Sequence, residues 1–118
     1  HLLLATGAWL AAPALQAQSA RPDWPSIERA ARGQTVYWNA WGGSEQTNAY
    51  IQWVAQSVQS RHGIRLQHVK VADTADVVRR VRAEKAAGRG VGEGTVDLVW
   101  INGENFAAMK REGLLFGP

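Results

Sequence analysis

Cysteine is absent from the chain, which excludes disulfides, thiolate metal centres and a cysteine nucleophile together. Histidine is nearly as scarce. Its three copies, at positions 1, 62 and 68, lie in different segments without metal-ligand spacing, so no metal site is expected. A block of like charge is missing as well: 13 Lys and Arg stand against 10 Asp and Glu, a formal net charge of +3. Only Arg79, Arg80, Arg82 and Lys85 cluster. On a helix they form an outward face, which reads as solvated surface, and no nucleic-acid partner is expected. Phe and Tyr number two each, yet there are six Trp. Rings with a polar handle suit binding surfaces as well as cores, so some of the six are candidates for ligand stacking.

The 118 residues, 46% of them hydrophobic, suit one small domain with a single core. The first 18, HLLLATGAWLAAPALQAQ, are uncharged, rich in Leu and Ala, and end in small residues, as a secretory signal peptide does. The apolar run of about 15 residues is shorter than the roughly 20 a membrane-spanning helix needs. It opens without Met, Lys or Arg, so residues 1–19 are expected to be a signal peptide truncated at its start. Residues 20–34 then read as a linker and short helix, with Ser26 as the cap and Gly33 as the stop. Residues 35–118 read as the folded part.

That part is organised around Thr35 to Glu45, an apolar run broken by Gly42 and Gly43. Val, Tyr and Trp favour a half-buried pleated surface, so Thr35 to Asn39 is expected as the first core strand. Ser44 then caps a helix from Glu45 to His62, in which Thr47, Ile51, Val54, Ala55 and Val58 share one face and Gly63 is the stop. Ile64 to Val71 alternates apolar and polar residues, as a strand toward a sheet edge does. Asp73 or Thr74 caps a helix from Ala75 to Ala87, with Val77, Val78 and Val81 inward. The spaced glycines of Gly88 to Gly94 follow a helix and precede a strand, the reverse of a phosphate loop, and read as a flexible connection. Val96 to Ile101 is the most hydrophobic run of the folded part and is expected to be a central strand buried on both faces. Trp38, Trp53 and Trp100, inside these periodic segments, are expected in the core. A last helix spans Phe106 to Glu112. Leu114 to Phe116 follows with nothing to pack against, which suggests the first third of a longer protein. The alternation of helix and strand implies an α/β fold with a parallel sheet.

Open α/β sheets bind ligands beyond the carboxyl ends of their strands. The candidate site is accordingly Trp41, Gly42, Gly43, Ser44 and Glu45 after the first strand, with Asn102, Gly103, Glu104 and Asn105 after the third. The glycines admit a ligand close to the backbone, Ser44 offers a hydroxyl beside free helix N–H groups, and Trp41 offers a ring for a flat or cationic group. Asn102, Glu104 and Asn105 can hydrogen-bond a polar ligand, with helix capping as the alternative use of either Asn. Helix N-termini favour an anion while Trp41, Glu45 and Glu104 favour a cation. No nucleophile is paired with a base, so the residues suit holding a molecule without transforming it.

The signal-like start and the segments VYWNAWGGSE, NAYIQWVAQSVQSRHGI, LQHVKVADTADVV and VDLVWINGENFAAMKREGLLFGP resemble the N-terminal lobe of bacterial periplasmic substrate-binding proteins of ABC importers. Within that class they are most similar to the YnjB-like subfamily, in the group that includes thiamine, polyamine, iron and sulfate binders. The resemblance covers Gln34 to Pro118. It implies an incomplete, three-layer first lobe of a type II two-lobed solute-binding fold with a mostly parallel sheet. It further implies a periplasmic receptor that captures a small polar solute, such as a thiamine-like or polyamine-like compound. The receptor would deliver it to an ABC permease and its ATPase, with membrane contact only through the permease and no cofactor. A secreted enzyme on the same scaffold, its catalytic residues in a C-terminal part, is the alternative.

Overall fold

The computed structural model describes residues 21–117, so the leader expected over residues 1–19 lies outside the described part. The elements are α1 (Trp24–Ala31), β1 (Thr35–Trp41), α2 (Glu45–His62), β2 (Arg65–Val71), α3 (Thr74–Ala86), β3 (Leu98–Val99) and α4 (Gly103–Arg111). The strands form one parallel sheet in the order β2-β1-β3. This is the α/β class that the alternation of elements implies. No described helix is long and apolar enough to cross a membrane.

Local chemistry explains where the helices begin and end. At the start of α2, the Ser44 hydroxyl oxygen accepts from the Thr47 backbone N–H at 3.2 Å, and at its end Gly63 takes the left-handed conformation at φ 65°. Asp73 caps α3 by accepting from the Ala75 N–H at 2.9 Å. In α1 the cap is Asp23, not Ser26, and the helix starts at Trp24 inside the expected linker. Pro25 is the cause: its fixed φ and missing N–H suit a first helical turn, which makes Asp23 the residue just ahead of it. The first strand also runs two residues beyond Asn39, because Ala40 and Trp41 continue to pair with Lys70 and Val71.

Alternation along the strands sorts the two faces of the sheet. The Asn39 Oδ1 accepts from Arg80 Nη1 of α3 at 3.3 Å, so Trp38 and Ala40 face the other side, where α2 lies. The sheet is thus covered by α2 on one face and α3 on the other. In turn α4 is tied to α3 by a two-pronged contact in which Arg82 Nε and Nη2 donate to Glu112 at 2.6 and 2.5 Å. Ala40, Ile51, Val77, Val78 and Met109 form the buried apolar core. Burying a Val, Ile or Met side chain stabilises by about 1.5–3 kcal/mol, so α2, α3 and α4 each contribute an anchor to this core. The expected inner face of α2 is confirmed, with Ile51 buried and Thr47, Val54, Ala55 and Val58 half-buried.

Two expectations about the core are corrected as well. The central strand is β1, paired along its whole length with β2; β3 is short, meets only Trp38 and Asn39, and has no strand on its outer side among the described residues. Leu98 is therefore 47% exposed instead of buried on both faces. The tryptophans expected in the core are also largely outside it, with Trp53 59% and Trp100 49% exposed. They build an aromatic cluster between α2 and β3. Trp38 stacks on Trp100 at 5.7 Å and 13°, and Tyr50 meets Trp100 edge-on at 6.4 Å and Trp53 at 5.9 Å. Each such pair contributes about 0.5–1.5 kcal/mol beyond area burial, so the cluster holds β3 to α2 although it remains half open to solvent.

Candidate ligand-binding rim

From β1 the chain crosses to β2 on one side and later returns to β3 on the other, so the strand order reverses between β1 and β3. Such a switch point opens a crevice at the carboxyl ends of the two strands, because the segments leaving them pass to opposite faces of the sheet. Both predicted turns lie there. The Trp100 N–H still donates to the Asn39 carbonyl at 2.9 Å, just before the strands part into residues 40–45 and 102–105. Parallel neighbours end at the same rim, so the nine candidate residues share one edge of the sheet.

The turn after β1 is tightly tied. Gly42 donates its N–H to Val71 at 3.1 Å, and its carbonyl accepts from Asn48 Nδ2 at 2.9 Å. Open space above the two glycines was expected, yet the protein itself fills it. A Cβ at Gly42 would stand 2.7 Å from Lys70 Cβ, and one at Gly43 2.2 Å from Trp41 Cζ2. The parallel register causes the first contact, since Lys70 pairs with Ala40 two residues earlier. Trp41 is 51% exposed, Glu45 is exposed in the first turn of α2, and Ser44 is half-buried with its oxygen engaged as the cap.

The turn after β3 is looser. Asn102 occupies the cap position of α4, and its carbonyl accepts from the Phe106 N–H at 2.9 Å, but its side chain caps nothing. Instead Asn102 Oδ1 accepts from Asn105 Nδ2 at 2.6 Å. The first N–H groups of α4 therefore keep the partial positive charge of an uncapped helix start, offset by exposed Glu104 in the same turn. Gly103, where α4 begins, has nothing among the described residues within 4 Å of an added Cβ, so the open approach to the backbone lies on this side of the rim.

Sequence reasoning did not single out Asn48 and Lys70, which shape the β1 turn. Asn48 sits four residues past the Ser44 cap, one helical turn along, a spacing that already places it above the turn. The basic cluster is engaged within the chain. Arg79 pairs with Asp76, Arg80 with Asn39 and Arg82 with Glu112, while Lys85 Nζ donates to the Glu112 carbonyl at 2.8 Å. Away from the rim, the Thr95 hydroxyl and N–H donate to Glu84 and hold its carboxyl below the usual range, with Arg89 and Arg80 adding to the effect. These bonds fasten the glycine-rich connection to α3. Among the described residues no three His, Asp or Glu side chains gather to hold a metal ion. His68 Nε2 lies 3.0 Å from the Ala40 carbonyl, and His62 pairs with Glu28 at 3.5 Å.

The chain is similar to Protein YnjB of Escherichia coli (strain K12), with 48% identity over 93 residues. The match takes in 79% of this chain and 24% of the relative, so the chain spans about a quarter of the length of the curated protein it matches. The two are homologous over that stretch. No protein-family model matches the chain, and no solved structure matches it.

Proposed function

We propose that this chain is part of a periplasmic solute receptor of a type II two-lobed fold, which captures a small polar ligand and passes it to an ABC permease and its ATPase. The observation that carries the reading is the switch point: the turns 40–45 and 102–105 leave adjacent parallel strands at one rim. They present a half-exposed ring, two carboxylates, an uncapped helix start and a paired Asn102–Asn105 amide along that rim. Such groups bind and orient. Homology to YnjB agrees with the subfamily that the sequence segments resemble, and the match to a quarter of a longer relative leaves room for a second lobe.

A receptor of this kind needs no covalent step. Its affinity comes from contacts that the closed state makes and the open state does not, so the rim residues supply one half of a clamp. The test is a calorimetric screen of the full gene product against thiamine, spermidine, sulfate and ferric ion. Saturable binding of one of them at one site per molecule supports the reading. Silence toward all four, with the protein folded, removes it.

A further inference from the structure

We infer that Gly43 is a positioning residue whose missing side chain seats the Trp41 indole on the rim, making that ring a fixed platform for a planar cationic group of the ligand. The inference rests on the receptor reading above. Gly43 is not among the positive-φ glycines, so its backbone conformation does not require glycine. The reason is the ring. Cζ2, Cε2 and Nε1 of Trp41 stand 2.2, 2.5 and 2.9 Å from where a Cβ at residue 43 would be. Even an alanine would have to displace the indole.

The seat has a consequence for binding. A large exposed side chain ordinarily gives up rotamer freedom when it meets a ligand, which weakens the complex. An indole already settled against Gly43 has little left to lose, yet 51% of it stays exposed to meet a partner. The charge on the rim selects the kind of partner. Glu45 and Glu104 are exposed in the first turns of α2 and α4, two carboxylates on the rim that carries the ring, facing two helix starts and the stem of Lys70 at Gly42. The face of a Trp attracts a flat cation, and carboxylates on the same rim add to that attraction.

The test labels the full gene product with 5-fluorotryptophan, assigns the Trp41 fluorine resonance by Trp41→Phe, and uses thiamine as the planar cation. Gly43→Ala is expected to shift the Trp41 resonance with the circular dichroism unchanged. It should weaken thiamine binding by about two- to thirtyfold, as Trp41→Ala does. In a Trp41→Ala background, Gly43→Ala should add nothing. An unmoved Trp41 resonance, or an equal loss in both backgrounds, overturns the seat. If Gly43→Ala fails to fold, recovery on adding Trp41→Phe, whose ring lacks Cζ2 and Nε1, supports the seat, and no recovery overturns it. Thiamine silence beside binding of another solute overturns the ligand class. Silence toward every solute removes the receptor reading instead, and the fluorine shift then decides the seat alone.

Discussion

Asn39 offers the sharpest energetic test, because it is a polar side chain with 0% exposure in the middle of the central strand. Among the described residues its Nδ2 has no hydrogen-bond partner, and its Oδ1 accepts a single long bond of 3.3 Å from Arg80. An unmet buried donor costs about 1–3 kcal/mol, whereas a typical hydrogen bond contributes about 0.5–1.5 kcal/mol. Asn39→Leu keeps the branching of the side chain and removes both terms. Its added apolar burial offsets the lost Arg80 bond. The expected result is a gain of about 1–2 kcal/mol. Asn39→Asp should act in the opposite direction, placing a charge between Val69 and Val99 with only an exposed guanidinium to meet it. Urea unfolding followed by circular dichroism reads both, provided the slope of the transition is unchanged. A loss above about 1 kcal/mol for Asn39→Leu would refute the reasoning.

The two rim helices should respond differently to loss of the residue before them. Ser44→Ala removes a side-chain cap and should cost about 1 kcal/mol, while Asn102→Ala, which caps nothing, should cost under about 0.5 kcal/mol; equal losses in urea unfolding would contradict the assignment. Acid should weaken the fold through three carboxylates. The Ser26 side chain and N–H hold Asp23 below the usual range, the Thr95 contacts do so for Glu84, and the Arg82 contact does so for Glu112. Each contributes stability at neutral pH that is lost as the pH falls through its lowered folded-state value, because the unfolded state takes up the proton first. Arg82→Ala should flatten the acid limb of the stability profile, and an unchanged limb would remove Glu112 from this account.

The sequence made the helices legible because their signals are local. Ser44 and Gly63 bound α2 within the chain segment itself, and Asp73 announces α3. Strand placement is not local. The hydrophobicity of Val96 to Ile101 says that the run avoids water without saying what covers it, and β3 proved to stand at the edge of the described sheet with Trp100 half exposed. The common rim was legible from the alternation of elements, since parallel strands must end on the same side. The filling of the space over Gly42 and Gly43 was not. It depends on the pairing of Ala40 with Lys70 and on the rotamer of Trp41, neither of which a glycine pair in a sequence reveals.

Single-site variants on the two turns probe the proposed shared site most directly: Trp41→Ala after β1 and Asn105→Ala after β3, each titrated calorimetrically with the solute that the screen identifies. The account predicts that both weaken binding while the fold, read by circular dichroism, is kept. Loss confined to one turn, or undiminished affinity in both variants, would contradict a single site spanning the switch point.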